Sequence, residues 1–147
     1  MIQRYVKNNK EDVMELFRLN APTYFDVSEE KDLNYYLDHE FEDYFVVVKD
    51  TKIVGAGGVN YENDETVGIL SWDFIHPEFH GKGIGSELTK YRIKHIKKND
   101  KVKLIKVRTS QLTYPFYEKM GFKTQEITKD YWAKGFDLYL MELEILK

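Results

Sequence analysis

The sequence predicts a single α/β domain with a mixed sheet, extending over residues 1–147. Segments rich in β-branched and aromatic residues alternate with segments whose apolar residues recur at helical spacing. Turn residues separate these segments, and the chain contains no repeats, linkers or low-complexity stretches. The predicted order of elements is therefore β-α-α-β-β-β-α-β-α-β-β.

The first half of the chain predicts one short strand, two helices and a β-hairpin. The strand covers 2–6, and the first helix follows a cap at Asn9 and ends before Pro22. A second helix follows Ser28, and the hairpin strands cover 44–48 and 53–61. Three glycines in the second hairpin strand indicate a bulge or the close approach of another group, namely Gly55, Gly57 and Gly58.

The second half predicts four more strands and two more helices. Strands are predicted at 66–76 and 102–107, from Phe122, and at 136–145, with helices at 86–98 and 114–120. The inner face of the longer helix is predicted to carry Ile84, Leu88, Tyr91 and Ile96. Gly121 suits the left-handed position that ends a helix.

The composition excludes several classes of function. The chain has no cysteine, which excludes disulfides, thiolate metal sites and a cysteine nucleophile. Its net charge of -3, from 22 basic and 25 acidic side chains, argues against a general nucleic-acid binder. No segment has the apolar length of a membrane span or a signal peptide. We therefore expect a cytoplasmic protein with neither a nucleic acid nor a membrane as partner.

The string His80-Gly81-Lys82-Gly83-Ile84-Gly85 lies between a predicted strand and a predicted helix. The first N–H groups of a helix lack internal partners, and glycines let the backbone close around an anion, so this turn predicts a phosphate site. A plain tight turn is the alternative. The dinucleotide pattern G-x-G-x-x-G is not met after Gly83, and no P-loop string is present.

Two stretches of the sequence together resemble the GNAT superfamily of acyl-CoA-dependent N-acyltransferases. The first is Ile75-His76-Pro77 followed by the glycine string, which is similar to the family's Arg/Gln-x-x-Gly-x-Gly/Ala motif. The second is the segment 115–122, Pro-Phe-Tyr-Glu-Lys-Met-Gly-Phe, which resembles the family's Phe-Tyr-Glu-Lys-x-Gly-Phe. The resemblance extends over the whole chain, and His80 departs from it because the family usually has Arg or Gln there.

This resemblance implies a mostly antiparallel mixed sheet of about seven strands, flanked by about four helices and splayed where acetyl-CoA binds. The pantetheine arm would lie beside Asp73, Phe74 and Ile75 like an added strand. Backbone donors from Gly81 to Ser86 would hold the pyrophosphate. The implied cofactor contacts are Phe74, Ile75, His80, Gly81, Lys82, Gly83, Ile84, Gly85, Ser86 and Gln111.

The resemblance also implies the catalytic roles. Tyr117 matches the tyrosine that protonates the departing CoA thiolate, with simple packing of its helix as the alternative. An ammonium acceptor must also lose a proton to a base, because its reference pKa is about 10.4. Asp73 is the first candidate for that base, although it is equally consistent with a solvent-facing edge carboxylate. The weaker candidates are Glu62, Glu29, Glu30 and His76.

The implied acceptor is a small-molecule or peptide primary amine, and its identity is left open by the sequence. Tyr24 and Phe25, on the first loop, are the candidates for the acceptor pocket. No metal site is predicted, since Pro77 separates His76 from His80 and no third ligand is near. The alternatives are transfer of a longer acyl group and a catalytically silent CoA-binding or protein-interaction module. Family members are often dimers, which leaves a homodimer open.

Overall fold

A computed structural model of the protein describes residues 1–145, which form a seven-stranded sheet and four α-helices. The strands are β1 (Ile2–Arg4), β2 (Asp43–Lys49), β3 (Lys52–Glu62), β4 (Val67–Ile75), β5 (Leu104–Thr109), β6 (Lys123–Ala133) and β7 (Phe136–Glu144). The helices are α1 (Lys10–Asn20), α2 (Glu30–His39), α3 (Ile84–Lys97) and α4 (Tyr114–Lys119), with 3₁₀ turns at Lys7–Asn9, Val27–Glu29 and Pro77–Phe79. None of these helices is long and apolar enough to cross a membrane.

The strands lie in the order β1-β2-β3-β4-β5-β7-β6, and only the β4–β5 pair is parallel. The β4–β5 pairing begins at Val67 and ends at Leu70, opposite Val107. Beyond that point β5 continues to pair with β7, whereas the end of β4 has no partner on this side. The sheet is therefore splayed between β4 and β5, and the predicted fold class is confirmed.

A β-bulge in β4 lies next to the splay. Ala56 of β3 faces Phe74, but Gly58 faces Ser71, so that two residues of β4 stand opposite the single residue Gly57. The backbone φ of Trp72 is +45°, in the left-handed region. The bulge turns the end of β4 and changes which side chains reach each face of the sheet. The predicted irregularity near the strand glycines is confirmed here.

Helices cover both faces of the sheet. The face under α3 and α4 carries one apolar core, whose fully buried members include Leu88, Ile96, Ile105, Phe122 and Met141. The face under α1 and α2 carries a second core, which includes Val13, Phe17, Leu33, Tyr44 and Ala56. Both faces are thus closed, and the splay is the place where a ligand can enter the sheet.

The prediction of the inner face of α3 was wrong at one position. Tyr91 is 41% exposed and packs edge-to-face on Phe45, while Arg92 is completely buried. Four-residue spacing from Leu88 to Ile96 passes through position 92, so helical geometry places the arginine on the core side. α3 also begins earlier than predicted, at Ile84, because Gly83 takes the N-cap position.

Candidate active site

A cavity of about 730 Å³ opens where β4 leaves β5. One end is formed by the glycine turn. The middle is formed by the end of β4 that no longer pairs with β5, together with parts of α3 and α4. The other end reaches the loop before α2 and the hairpin of β6 and β7. Its residues from these three regions include His80, Gly81, Gly83, Gly85, Ser86, Asp73, Phe74, Ile75, Arg92, Tyr117, Tyr24, Phe25, Glu29 and Trp132.

The glycine turn has backbone angles that residues with a side chain rarely adopt. Gly81 and Gly83 have φ angles of +74° and +86°, and apart from each glycine and its chain neighbours no atom of residues 1–145 lies within 4 Å of where their side chains would begin. Gly83 is the N-cap of α3 and offers no capping side chain, so the first N–H groups of α3 have no side-chain partner there. This arrangement suits an anion, because free N–H groups and the helix dipole both favour negative charge.

Two predicted members of the turn do not line the cavity. Ile84 is buried in the core beneath α3, because the first turn of the helix points its side chain inward. The ammonium of Lys82 lies 5.3 Å from the centre of the Phe79 ring, on the exposed side of the turn. The predicted contacts His80, Gly85 and Ser86 do line it, as do Gly81 and Gly83.

His80 is held against the end of β4. Its Nε2 atom lies 2.8 Å from the carbonyl oxygen of Ile75, and its ring packs edge-to-face on Tyr24. The side chain therefore closes the turn onto the strand. The departure from the family's Arg or Gln at this position has a structural consequence, since the imidazole is engaged with protein atoms.

Asp73, Arg92 and Tyr117 meet at the centre of the cavity, each from a different element. The Asp73 carboxylate accepts hydrogen bonds from the Tyr117 hydroxyl and from Nη2 of Arg92 through the same oxygen. Arg92 also donates from Nη1 to the carbonyl oxygen of Gly58 at 3.1 Å. Tyr117 is 2% exposed, so its hydroxyl reaches only this inner part of the cavity. The structure thus brings both predicted catalytic residues together.

The pKa values of Arg92 and Tyr117 both depend on burial and on the other charges of this group. Burial and the adjacent Asp73 carboxylate raise the pKa of Tyr117 well above its ordinary value, although Arg92 acts in the opposite direction. Burial alone would lower the pKa of Arg92, but Asp73 and Tyr117 outweigh it and the net shift is upward. Arg92 and Tyr117 are therefore both protonated at neutral pH.

Glu29 is a buried carboxyl group in the wall of the cavity. It is 8% exposed, and its Oε2 atom accepts a hydrogen bond of 3.1 Å from the backbone N–H of Asp26. Burial raises its pKa to about 7, helped by the charges of Asp26 and Asp32. No cationic side chain within residues 1–145 pairs with it. A carboxyl group that titrates near neutral pH can accept a proton.

The other candidates for the base lie outside the cavity. Glu30 pairs with Arg18 at 3.2 Å, and Glu62 lies 3.7 Å from the ammonium of Lys106. His76 accepts a hydrogen bond from the N–H of Glu78 in the turn after β4. In the described part of the chain, no group of three or more histidine, aspartate or glutamate side chains could hold a metal ion.

Gln111 does not reach the cavity either. Its amide donates to the carbonyl oxygen of Gly135 at 2.7 Å and accepts from the N–H of Asp137 at 2.9 Å. Both ends of the side chain thus tie the β5–α4 loop to the hairpin of β6 and β7. The neighbouring residue, Ser110, lines the cavity instead.

The acceptor candidates on the first loop both line the cavity. Phe25 packs between Phe17 and Phe74, and Tyr24 contacts His80. They lie on the α1 and α2 side of the sheet, on the same side as Glu29. The cavity therefore extends from the glycine turn, whose backbone suits an anion, to the aromatic side chains of the first loop and Glu29.

Comparison with known proteins agrees with this geometry. The family model for the acetyltransferase (GNAT) domain matches residues 10–145, which include the splay, the glycine turn and α4. The chain belongs to the GNAT acetyltransferase family. No curated protein matches it in sequence.

Solved GNAT structures share the fold of this GNAT protein at low sequence identity. Ribosomal-protein-S18-alanine N-acetyltransferase from Escherichia coli is 16% identical with a TM-score of 0.82, covering 100% of this chain and 94% of its own. Aminoglycoside 6'-N-acetyltransferase from Enterococcus faecium is 17% identical with a TM-score of 0.77, covering 100% and 98%. An aminoglycoside 6'-N-acetyltransferase complexed with coenzyme A is 17% identical with a TM-score of 0.81, covering 100% and 98%.

Proposed function

We propose that this GNAT protein transfers an acetyl group from acetyl-CoA to a primary amine, by direct attack while both substrates are bound. One observation carries the proposal: a single cavity joins the glycine turn to the Asp73–Tyr117 pair and to the pocket around Glu29. A phosphate-bearing donor at one end and a cationic acceptor at the other would meet beside β4.

The residues of the cavity suit CoA. Gly81 and Gly83 leave the backbone open to a pyrophosphate, and the helix dipole of α3 favours its charge. The end of β4, which pairs with β3 but no longer with β5 beyond Leu70, offers the backbone groups of its open edge to the pantetheine arm as to an added strand. Its N–H groups can also stabilise the oxyanion of the thioester, an effect worth roughly 100- to 1,000-fold in rate per donor.

The reaction requires proton transfers at the acceptor nitrogen and at the CoA sulfur. The ammonium acceptor first loses one proton to a base, and its nitrogen then attacks the thioester carbonyl carbon. The C–S bond breaks, the Tyr117 hydroxyl turns from Asp73 and gives its proton to the CoA sulfur, and the second proton of the new amide nitrogen restores Tyr117. With no cysteine in the chain, no thioester can form on the enzyme. The products are the acetylated amine, CoA and one proton.

Glu29 suits the role of base better than Asp73 does. The Asp73 carboxylate is already bonded to Arg92 and Tyr117, and its protonation would leave the fully buried Arg92 without its counter-charge. Glu29 lacks such a cation and titrates near pH 7, where an efficient base should titrate. In this proposal Asp73 orients Tyr117, and Glu29 accepts the proton of the acceptor.

The acceptor end of the cavity favours positively charged amines. Three glutamate side chains line the cavity, Glu29, Glu40 and Glu42, as do the aromatic rings of Tyr24 and Trp72. Aromatic faces and carboxylates both stabilise an ammonium group. The GNAT structures of similar fold are described as acting on aminoglycosides and on a ribosomal protein's alanine. Both acceptors carry amines, which supports an amine acceptor for this chain.

The test is a titration of the protein with CoA, followed by a thiol-release assay with acetyl-CoA and a panel of mono-, di- and polyamines, amino acids and peptides. We expect CoA binding and release of one CoA thiol per acetylated amine. CoA binding without acetylation of any amine would instead indicate a catalytically silent module. Absence of CoA binding would reject both functions.

A further inference from the structure

Arg92 is the one charged side chain in residues 1–145 that is completely buried. It also lines the cavity. It occupies a core position of α3, four residues from both Leu88 and Ile96. An apolar residue at such a position would stabilise the core without desolvating a charge. An arginine at this position therefore indicates an interaction with the residues of the sheet that lie opposite it.

The sheet is shaped to receive the guanidinium group. A Cβ atom at Gly57 would lie 3.1 Å from both Cζ and Nη1 of Arg92, and 2.8 Å from Cβ of Asp73. Only a glycine lets the guanidinium lie flat on β3 at this point. The bulge opposite Gly57 brings Asp73 to the same face of the sheet as Arg92.

The hydrogen bonds of Arg92 all go to groups that fix the centre of the cavity. They go to the carboxylate of Asp73, the carbonyl oxygen of Gly58 and the hydroxyl of Thr89, the last at 3.4 Å. Its Nε atom has no hydrogen-bond partner among the described residues. The guanidinium therefore joins α3 to β3 and β4 at the splay, and Asp73 extends the connection to Tyr117 of α4.

We propose that Arg92 is a positioning residue for acetyl transfer: it holds the Asp73 carboxylate at the splay, and that carboxylate holds the Tyr117 hydroxyl at the centre of the cavity. The proposal rests on the proposed function of the cavity. When Tyr117 gives its proton to the CoA sulfur, a phenolate forms beside a carboxylate. The buried guanidinium is the positive charge that stabilises both anions during this step.

The experiment compares Arg92→Met, Arg92→Lys, Asp73→Asn and the double variant Arg92→Met/Asp73→Asn, with Lys90→Met as control. Lys90 is exposed on the same helix, so its variant removes a cation and leaves the cavity intact. The double variant removes both members of the ion pair, so it leaves no unpaired charge if Arg92→Met alone fails to fold. The readouts are kcat, the Kd for CoA, circular dichroism, and urea unfolding.

We expect Arg92→Met to lower kcat about 100-fold, the lower end of the range for a lost general acid, with the Kd for CoA changed less than about threefold. Arg92→Lys should recover part of that loss, and the double variant should be no slower than Asp73→Asn alone. Loss of kcat in the double variant equal to the product of both single losses would overturn the proposal. So would wild-type kcat in folded Arg92→Met, since its side chain fills a similar volume.

The same panel separates this proposal from the proposed function. If wild-type protein releases no thiol with any amine, the proposed function fails, and the role of Arg92 in turnover fails with it. If the wild type is active and the variants keep its kcat, only the role of Arg92 fails. Urea unfolding gives a reading independent of activity: we expect Arg92→Met to destabilise the protein more when residue 73 is aspartate than when it is asparagine. Equal destabilisation would contradict the ion pair's holding role.

Discussion

The Nε2 atom of His80 lies 2.8 Å from the carbonyl oxygen of Ile75, the last residue of β4. The side-chain amide of Asn20 donates to the same oxygen at 3.0 Å. Because a carbonyl oxygen only accepts, Nε2 must carry the hydrogen of this bond. The glycine turn is thus tied to the strand through His80, so that in the proposed function the backbone of the turn, and not the imidazole, holds the pyrophosphate.

The first prediction concerns CoA binding at this turn. Gly83→Trp should weaken CoA binding at least about 100-fold, because a side chain at φ +86° strains the backbone and covers its N–H groups. His80→Ala should weaken it only about 2- to 10-fold. Isothermal titration calorimetry with CoA measures both.

Gly135→Trp is the matched control for this pair. Gly135 has the same φ of +86° and open space around it, but it does not line the cavity. Its variant should bind CoA as the wild type does. Equal loss of binding in the Gly83 and His80 variants would mean that the imidazole itself is a principal ligand of CoA.

The second prediction concerns Tyr117. Tyr117→Phe should lower kcat about 100- to 10,000-fold, because the hydroxyl that protonates the sulfur is lost. The Kd for CoA should stay within about threefold, and the free energy of unfolding should fall by about 0.5–1.5 kcal/mol through the lost hydrogen bond to Asp73. Steady-state kinetics and urea unfolding measure these effects. A folded variant with wild-type kcat at every pH would reduce Tyr117 to a packing residue.

The third prediction concerns the pH dependence of activity. If Glu29 is the base, its ionised form is the active one, so kcat/KM should rise with pH through an apparent pKa of about 7. Glu29→Gln should lower kcat/KM about 100-fold and remove this rise. Glu30→Gln, whose parent residue lies outside the cavity in an ion pair with Arg18, is the control. Persistence of the rise in Glu29→Gln would assign it to another group.

The fourth prediction concerns the effect of Glu29 on the stability of the protein. The raised pKa means that folding favours the neutral form of Glu29. Its contribution to stability is complete below the unfolded pKa of about 4.5 and is lost as pH rises through about 7. Relative to Glu29→Gln, the wild type should therefore lose up to about 3 kcal/mol between pH 4.5 and pH 8. Urea unfolding at both pH values tests this, and a difference independent of pH would contradict it.

The fifth prediction concerns Gly57. Gly57→Ala places a methyl group 2.8 Å from Cβ of Asp73 and 3.1 Å from Arg92, so we expect a loss of about 1–3 kcal/mol. Gly85→Ala is the control, since its methyl group would make ordinary contacts of 3.7 Å with Ile75 and Phe116. Thermal unfolding of both variants measures the difference. Equal melting temperatures would show that the sheet can move away from the guanidinium.

The order of the elements and the glycine turn were predictable because both depend on local patterns, whereas the splay was implied only by the family resemblance. Apolar periodicity marks strands and helices, and the glycines at 81 and 83 occupy left-handed backbone positions as their residue type indicates. Tyr24, Phe25, Asp73 and Tyr117 were also predicted for the site and line the cavity.

Other features depend on tertiary contacts that no local pattern contains. Arg92 reads as one more charge on a polar helix, until the four-residue spacing from Leu88 is followed and Asp73 is found opposite it. The sequence made Glu29 only a weaker candidate for the base, because its raised pKa comes from burial by the folded chain. Gln111 follows Ser110, which lines the cavity, but the β6–β7 hairpin binds both ends of the Gln111 amide.

Initial-rate kinetics, with acetyl-CoA and the best amine of the panel varied together, test the central claim most directly. Direct transfer between two bound substrates predicts double-reciprocal lines that intersect, with one CoA thiol released per acetylated amine. Parallel lines, or release of CoA in a burst before any amine is added, would indicate a covalent acetyl-enzyme and would contradict the account.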